Sequence, residues 1–170
     1  LARSIVANGA CAVPAAVSGS NGWKVSLPDA GTMVRTGATF AGWNTAADGT
    51  GITYTAGSSY TLASSITLYA RWTCVVTFDS QGGSAVSSEV VMVGRKVAMP
   101  VNPIKTGVFF GGWHKESECV TEWDFAIDIV TSDVTLYAKW YAVRGLVTVP
   151  GGTFVQQTSE DVQFTHTITG

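Results

Sequence analysis

The sequence predicts a mainly β fold, α+β at most, in which one small module occurs twice in tandem. Three observations carry that expectation. In "ITLYARW" (Ile66–Trp72) and "VTLYAKW" (Val134–Trp140) residue types alternate with period two, the pattern of a strand with one buried face. Whole phrases recur along the chain in the same order. The composition is 46% hydrophobic and only 13% charged, about half the usual ~25% for soluble domains. Gly, Ser and Thr make up the polar balance, which suits strands and turns.

The repeated phrases define the elements. "GWKVSLP" (Gly22–Pro28) returns as "GRKVAMP" (Gly94–Pro100), an offset of 72 (94 − 22). "TGATFAGW" (Thr36–Trp43) returns as "TGVFFGGW" (Thr106–Trp113), an offset of 70 (106 − 36). "ITLYARW" returns as "VTLYAKW", an offset of 68 (134 − 66). Small differences in loop length account for the drift.

Lys24–Pro28 and Lys96–Pro100 read as strands, each stopped by a proline that cannot donate to a ladder. Thr36-Gly37 and Thr106-Gly107 read as turns in which glycine supplies positive φ. A strand follows each turn. Simple alternation sends Phe40 and Phe110 to one face, Trp43 and Trp113 to the other. Gly42 and Gly112 mark a bulge or a close approach, with room for a large aromatic to lie across the strand. "NTAADGTG" (Asn44–Gly51) reads as a hairpin loop. In the last strand of each copy, Ile66, Leu68, Ala70 and Trp72 share one face, as do Val134, Leu136, Ala138 and Trp140. Each module is small for independent folding, and a large aromatic buries ~150–250 Å². The six tryptophans are therefore a source of core stability.

The chemistry the chain could carry is limited. Net charge is −2 and no Lys/Arg block could track a phosphate backbone, so nucleic acid is not an expected partner. No apolar run approaches the ~18 residues of a membrane span. The chain opens on Leu1, so an export signal upstream of it is expected. Cys11, Cys74 and Cys119 lack C-x-x-C spacing, which argues against a zinc site or redox pair. Small apolar side chains, or one bridge plus a free thiol, remain the alternatives. His114 reads as a partly exposed polar residue at a strand end. Glu116, Glu118, Glu122, Asp124 and Asp128 lack the D-x-D-x-D-G spacing of a calcium loop and read as a solvated loop and strand edge. Gly82-Gly83 lacks the Lys-Ser/Thr of a phosphate loop. No catalytic, cofactor-binding or metal-binding residue is expected. Trp23, Trp43 and Trp113 are the candidate interaction surface. They stand either in the core or between modules, or on a face that binds sugar or a partner.

Several phrases together resemble the Listeria–Bacteroides repeat, also called the internalin B-type repeat. They are Arg35–Trp72 in the first copy, and "VVTFDSQGG" (Val75–Gly83), "KTGVFFGGWHKE" (Lys105–Glu116), "WDFAIDIV" (Trp123–Val130) and "VTLYAKW" in the second. The resemblance implies small β-grasp-like modules, strung in tandem on bacterial surface and secreted proteins, without catalytic residues. The first copy departs from the pattern, opening on "RSIVANGACAV" instead of a "VTFDSQGG"-type strand. A third stretch, "GLVTVPGGTFVQQTSEDVQFTHTITG" (Gly145–Gly170), is similar to the opening of the formylglycine-generating, sulfatase-modifying enzymes. It carries their "VPGGTF" at Val149–Phe154 and a strand at His166–Ile168, with Gln156-Gln157 where Met-Gly is usual. That family's catalytic cysteines and calcium ligands would lie beyond Gly170.

These readings divide the chain into a first repeat at 1–73, a second at 74–141, and a linker with the start of a formylglycine-generating-enzyme-like domain at 142–170. The expected function is non-enzymatic. A bacterial cell-envelope or secreted repeat region would space or present an adjoining domain and make adhesive contacts. Alternatives are a glycan- or protein-binding module with exposed aromatics, or the N-terminal part of a sulfatase-modifying-enzyme-like protein. Expected partners are a protein or glycan of a host or neighbouring cell, or a second copy paired through strand edges.

Overall fold

A computed structural model describes the backbone of residues 3–8 and 17–19 and the whole chain over 22–142. The segment resembling the formylglycine-generating enzymes, with His166, lies outside the described residues, as does Cys11. The described chain is mainly β and contains no helix. Its strands are β1 (Arg3–Asn8), β2 (Val17–Gly19), β3 (Lys24–Ser26), β4 (Thr39–Asn44), β5 (Thr53–Tyr54), β6 (Ser59–Thr61), β7 (Ile66–Asp79), β8 (Glu89–Met92), β9 (Val108–His114) and β10 (Val134–Ala142). Strand pairing is mixed, both parallel and antiparallel. β7 joins the last phrase of the first repeat to the first strand of the second without a loop.

The described residues fall into two compact units: 3–8, 17–19, 22–77, 88–98 and 124–134 in one, and 78–87, 99–123 and 135–142 in the other. In the first, β7 is the central strand. It runs parallel to β1, pairing Ile66 with Ile5, and antiparallel to β4 and β8. β1 and β2 form an antiparallel pair, β5 extends β4, and β3 pairs with β6 in a separate two-stranded sheet. The core holds Leu27, Met33, Trp43, Leu62 and Leu68, with Ile66, Ala70 and Trp72 partly buried against it. The face expected from alternation in "ITLYARW" is thus the core face. Segments of the second repeat also belong to this unit. The Asp133 N–H donates to the Gly37 carbonyl over 2.6 Å, and the Asp133 carboxylate accepts from the Val75 N–H over 2.7 Å.

In the second unit β9 pairs antiparallel with β10. Phe110 packs edge-on to Trp113 at 5.5 Å and to Trp140 at 5.7 Å between ring centroids. The first unit repeats that trio, with Phe40 at 5.2 Å from Trp43 and 5.6 Å from Trp72. These contacts correct the expected separation of Phe40 from Trp43 and of Phe110 from Trp113. The register shifts between Phe40 and Gly42, and between Ala138 and Trp140 opposite β9. An extra residue in each strand reverses the alternation, so phenylalanine and tryptophan share one side. The glycine-marked bulge was legible; its effect on facing was not.

Two further expectations change. Lys24–Ser26 is a strand, but Lys96–Pro100 is not. β3 has β6 as a ladder partner, whereas the second copy makes a single bridge, Arg95 with Val130. Turns centred on Asp124 replace the partner strand: the Asp124 carboxylate accepts from the Ala126 N–H, and Lys96 Nζ donates to the Ala126 carbonyl. What most nearly approaches Gly42 and Gly112 is not an aromatic ring. A Cβ on Gly42 would meet the Tyr54 carbonyl, and one on Gly112 the Glu122 carboxylate. Aromatic rings do lie against two other glycines of the second unit, Tyr141 over Gly111 and Trp140 over Gly83.

Candidate functional site

The three candidate tryptophans occupy different environments. Trp43 is fully buried and Trp113 is 2% exposed. The Trp43 indole donates to the Pro28 carbonyl over 2.7 Å, whereas the Trp113 Nε1 is buried with no acceptor among the described residues. Phe78 and Phe110 flank Trp113. The repeated phrase therefore supplies the core of each unit, and neither of its tryptophans lies open to a ligand. Trp23 is 62% exposed; of the three it alone can touch a partner.

The residue after each repeated tryptophan is buried, and in the first repeat it has a structural task that the sequence did not disclose. Asn44 is fully buried and organises the hairpin loop. Its carbonyl oxygen accepts from the N–H groups of Ala46 (2.8 Å) and Gly51 (3.1 Å). Its amide donates to the Gly51 carbonyl (3.0 Å), the Gly49 carbonyl (3.3 Å) and the Thr53 hydroxyl (3.1 Å). Five bonds from one buried carboxamide tie together the backbone and hydroxyl groups of this partly buried loop. Asn44→Ala should lower stability by about 3 kcal/mol, because several of those groups lose their partner at once; urea denaturation measures it. A cost below about 1 kcal/mol would mean that the loop stands without its centre.

His114 holds the corresponding place in the second repeat and corrects the expectation of a partly exposed residue. It is 4% exposed, and its Nδ1 is buried with no partner among the described residues. The strand that carries it pairs onward: Lys115 N–H donates to the Thr121 carbonyl, and His114 bridges Glu122. The only signal in sequence was position, immediately after the repeated tryptophan.

The acidic residues of this region close turns. Glu116 accepts from the Thr121 N–H over 3.0 Å, and Asp128 from the Asp124 N–H over 2.9 Å. No group of three His, Cys, Asp or Glu residues suited to a metal ion occurs among the described residues. Cys74 and Cys119 are free thiols. Burial chiefly pushes the Cys74 thiol pKa upward, with the Asp133 charge adding to it, so Cys74 is a packing residue and a poor nucleophile. Among the described residues no helix is long and apolar enough to cross a membrane.

Comparison with known proteins adds to this geometry. The family model of the Listeria–Bacteroides repeat domain matches residues 6–71 and 75–139. A Gly-rich membrane protein of Evansella cellulosilytica is 39% identical over 121 residues, covering 69% of this chain and 14% of that protein. A second membrane protein of the same organism is 41% identical over 83 residues, covering 47% of this chain and 12% of its own length. The match thus spans a small part of each relative.

Proposed function

Because the chain belongs to the Listeria–Bacteroides repeat family, we propose that it is a repeat region of a bacterial envelope or secreted protein that spaces and presents an adjoining domain. Such repeats are typical of bacterial surface and adhesion proteins. The family and the lack of a metal or cysteine cluster among the described residues are consistent with a non-enzymatic protein. The observation that carries the reading is the use of the repeated phrase as core: Trp43 and Trp113 are buried, so what recurs is a folding unit and not a ligand site. The membrane-protein names of the relatives favour an envelope location.

Residues 1–73 and 74–141 are proposed as two β-grasp-like modules. Support comes from the antiparallel pairing of β1 with β2, the parallel pairing of β1 with β7, and β4 on the other side of β7. Residues 142–170 would lead into the presented domain, a formylglycine-generating-enzyme-like one on the resemblance of Val149–Phe154. Cysteine oxidation in a sulfatase peptide by a longer chain would support that neighbour. Open strand edges would let two copies pair.

The test displays a reporter domain on a bacterial surface through the full 170-residue chain, or through a short Gly/Ser linker. The chain should make the reporter accessible to a large antibody that the short linker excludes. Equal accessibility would remove the spacing role. A second reading, adhesion, is favoured by the exposed Trp23. It predicts saturable attachment to host cells that Trp23→Ala abolishes in a folded chain.

A further inference from the structure

Three arginines distant in sequence converge on one cleft of the first unit. Arg35 precedes the Thr36-Gly37 turn, Arg71 lies on β7, and Arg95 follows β8. Together with Asp48, Tyr69 and Trp72 they line a space of about 180 Å³. Arg71 is anchored by one donor: its Nη1 bonds the Thr53 hydroxyl at 2.8 Å. Its Nε is buried and has no acceptor among the described residues. Arg95 is held by its Nη2, which donates to the Asp48 carbonyl over 3.1 Å. Its backbone accepts from the Val130 N–H over 2.8 Å. Three arginines and one aspartate line the cleft, a net of +2 (3 − 1) for those residues. The aspartate carboxylate is already engaged. Asp48 accepts from the Thr50 N–H at 3.0 Å and the Thr50 hydroxyl at 2.7 Å. These bonds, with a smaller contribution from Arg95, hold its pKa below the usual carboxylate value.

The second repeat does not share this arrangement. Lys105 and Lys139 stand where the first repeat has Arg35 and Arg71, and both are otherwise occupied. Lys105 Nζ donates to the Gln81 carbonyl over 2.7 Å and lies 5.6 Å from the Trp140 ring. Lys139 Nζ lies 5.3 Å from the Tyr141 ring. An ammonium cannot reproduce the planar fork with which guanidinium grips carboxylate or sulfate.

We propose that the cleft of Arg35, Arg71 and Arg95 binds a small oxyanion, a carboxylate or sulfate such as acidic sugars carry. The lining carries two positive charges in excess of Asp48, whose carboxylate the Thr50 bonds already engage, and an oxyanion would supply the counter-charge. The space is below the ~300 Å³ at which clefts enclose drug-sized ligands. One charged group and part of one ring are what it can hold, with Tyr69, which alternates to the same side of β7 as Arg71, as the flank for the ring. The proposal is independent of the spacing role.

Isothermal titration of the full chain at low salt tests it, with glucuronate, glucose 6-sulfate and inorganic sulfate as probes and glucose as the neutral control. Saturable binding of at least one anion is expected, with Kd on the order of 1 mM or tighter, together with no binding of glucose. Preference for glucose 6-sulfate over inorganic sulfate would assign the site to the sugar-borne group; equal affinity would assign it to the free ion. Arg35→Gln/Arg95→Gln should weaken binding about tenfold or more in a chain whose melting shows it folded. Should that variant fail to fold, Arg71→Lys keeps the charge but loses the planar fork of donors, and is expected to weaken binding severalfold. No saturable binding of any anion, or unchanged affinity in a folded variant, overturns the proposal.

Discussion

Trp43→Ala is expected to cost the chain about 3–5 kcal/mol of stability, the range for deleting a large aromatic from a core. Against the ~5–15 kcal/mol that holds most domains folded, that loss leaves the first unit marginal or unfolded. The indole is fully buried, stands edge-on to Phe40, and gives its N–H to Pro28. Truncation removes the apolar contact and strands the Pro28 carbonyl. Trp113→Ala should cost about 1 kcal/mol less, since its Nε1 has no acceptor to lose among the described residues and a typical hydrogen bond contributes about that much. Urea unfolding followed by circular dichroism compares the two. A Trp43→Ala chain within about 1 kcal/mol of the native one would contradict the core role assigned to the phrase and return Trp43 to the candidate surface residues.

What the sequence disclosed and what it hid follow one physical division. Strand alternation is local, so the core face of Ile66, Leu68, Ala70 and Trp72 could be read directly. The turns at Gly37 and Gly107 were legible for the same reason, and both glycines have positive φ, 65° and 77°. Facing across the bulge depends on one extra residue in a ladder, and only the pairing partner reveals it. Lys96–Pro100 carries strand residues without a partner strand, and a strand is defined by its ladder as much as by its composition. Asn44 and His114 occupy one position with unlike chemistry. Nothing in a single letter tells that the side chain turns inward to hold a loop.

The cleft was least legible of all. Arg35, Arg71 and Arg95 are scattered singly along the chain, and scattered arginines read as solvated surface. They meet because Ser88–Ala98, part of the second repeat in sequence, packs in the first unit. A search for runs of basic residues misses such a site, since its charge density is made by tertiary pairing.

Gly42→Ala and Gly112→Ala should differ in effect although the two glycines hold the same place in the repeat. Both have positive φ, 108° and 99°, so either substitution brings backbone strain of about 1–2 kcal/mol. Their surroundings then separate them. A Cβ at Gly42 would collide with the Tyr54 carbonyl oxygen, part of the β4–β5 ladder in which Trp43 pairs with Tyr54. Backbone there cannot yield without breaking the pairing that seats Trp43 over the core. At Gly112 the nearest atom is Glu122 Oε1, at 2.9 Å, the far end of a flexible side chain that can swing away. The expected costs are about 4 kcal/mol for Gly42→Ala and about 2 kcal/mol or less for Gly112→Ala, read from urea midpoints on the full chain. Equal costs would mean that the left-handed backbone alone preserves the glycine in both copies. Unequal costs would show that the copies hold one letter for different reasons: a close backbone approach in the first, and the turn of the strand itself in the second.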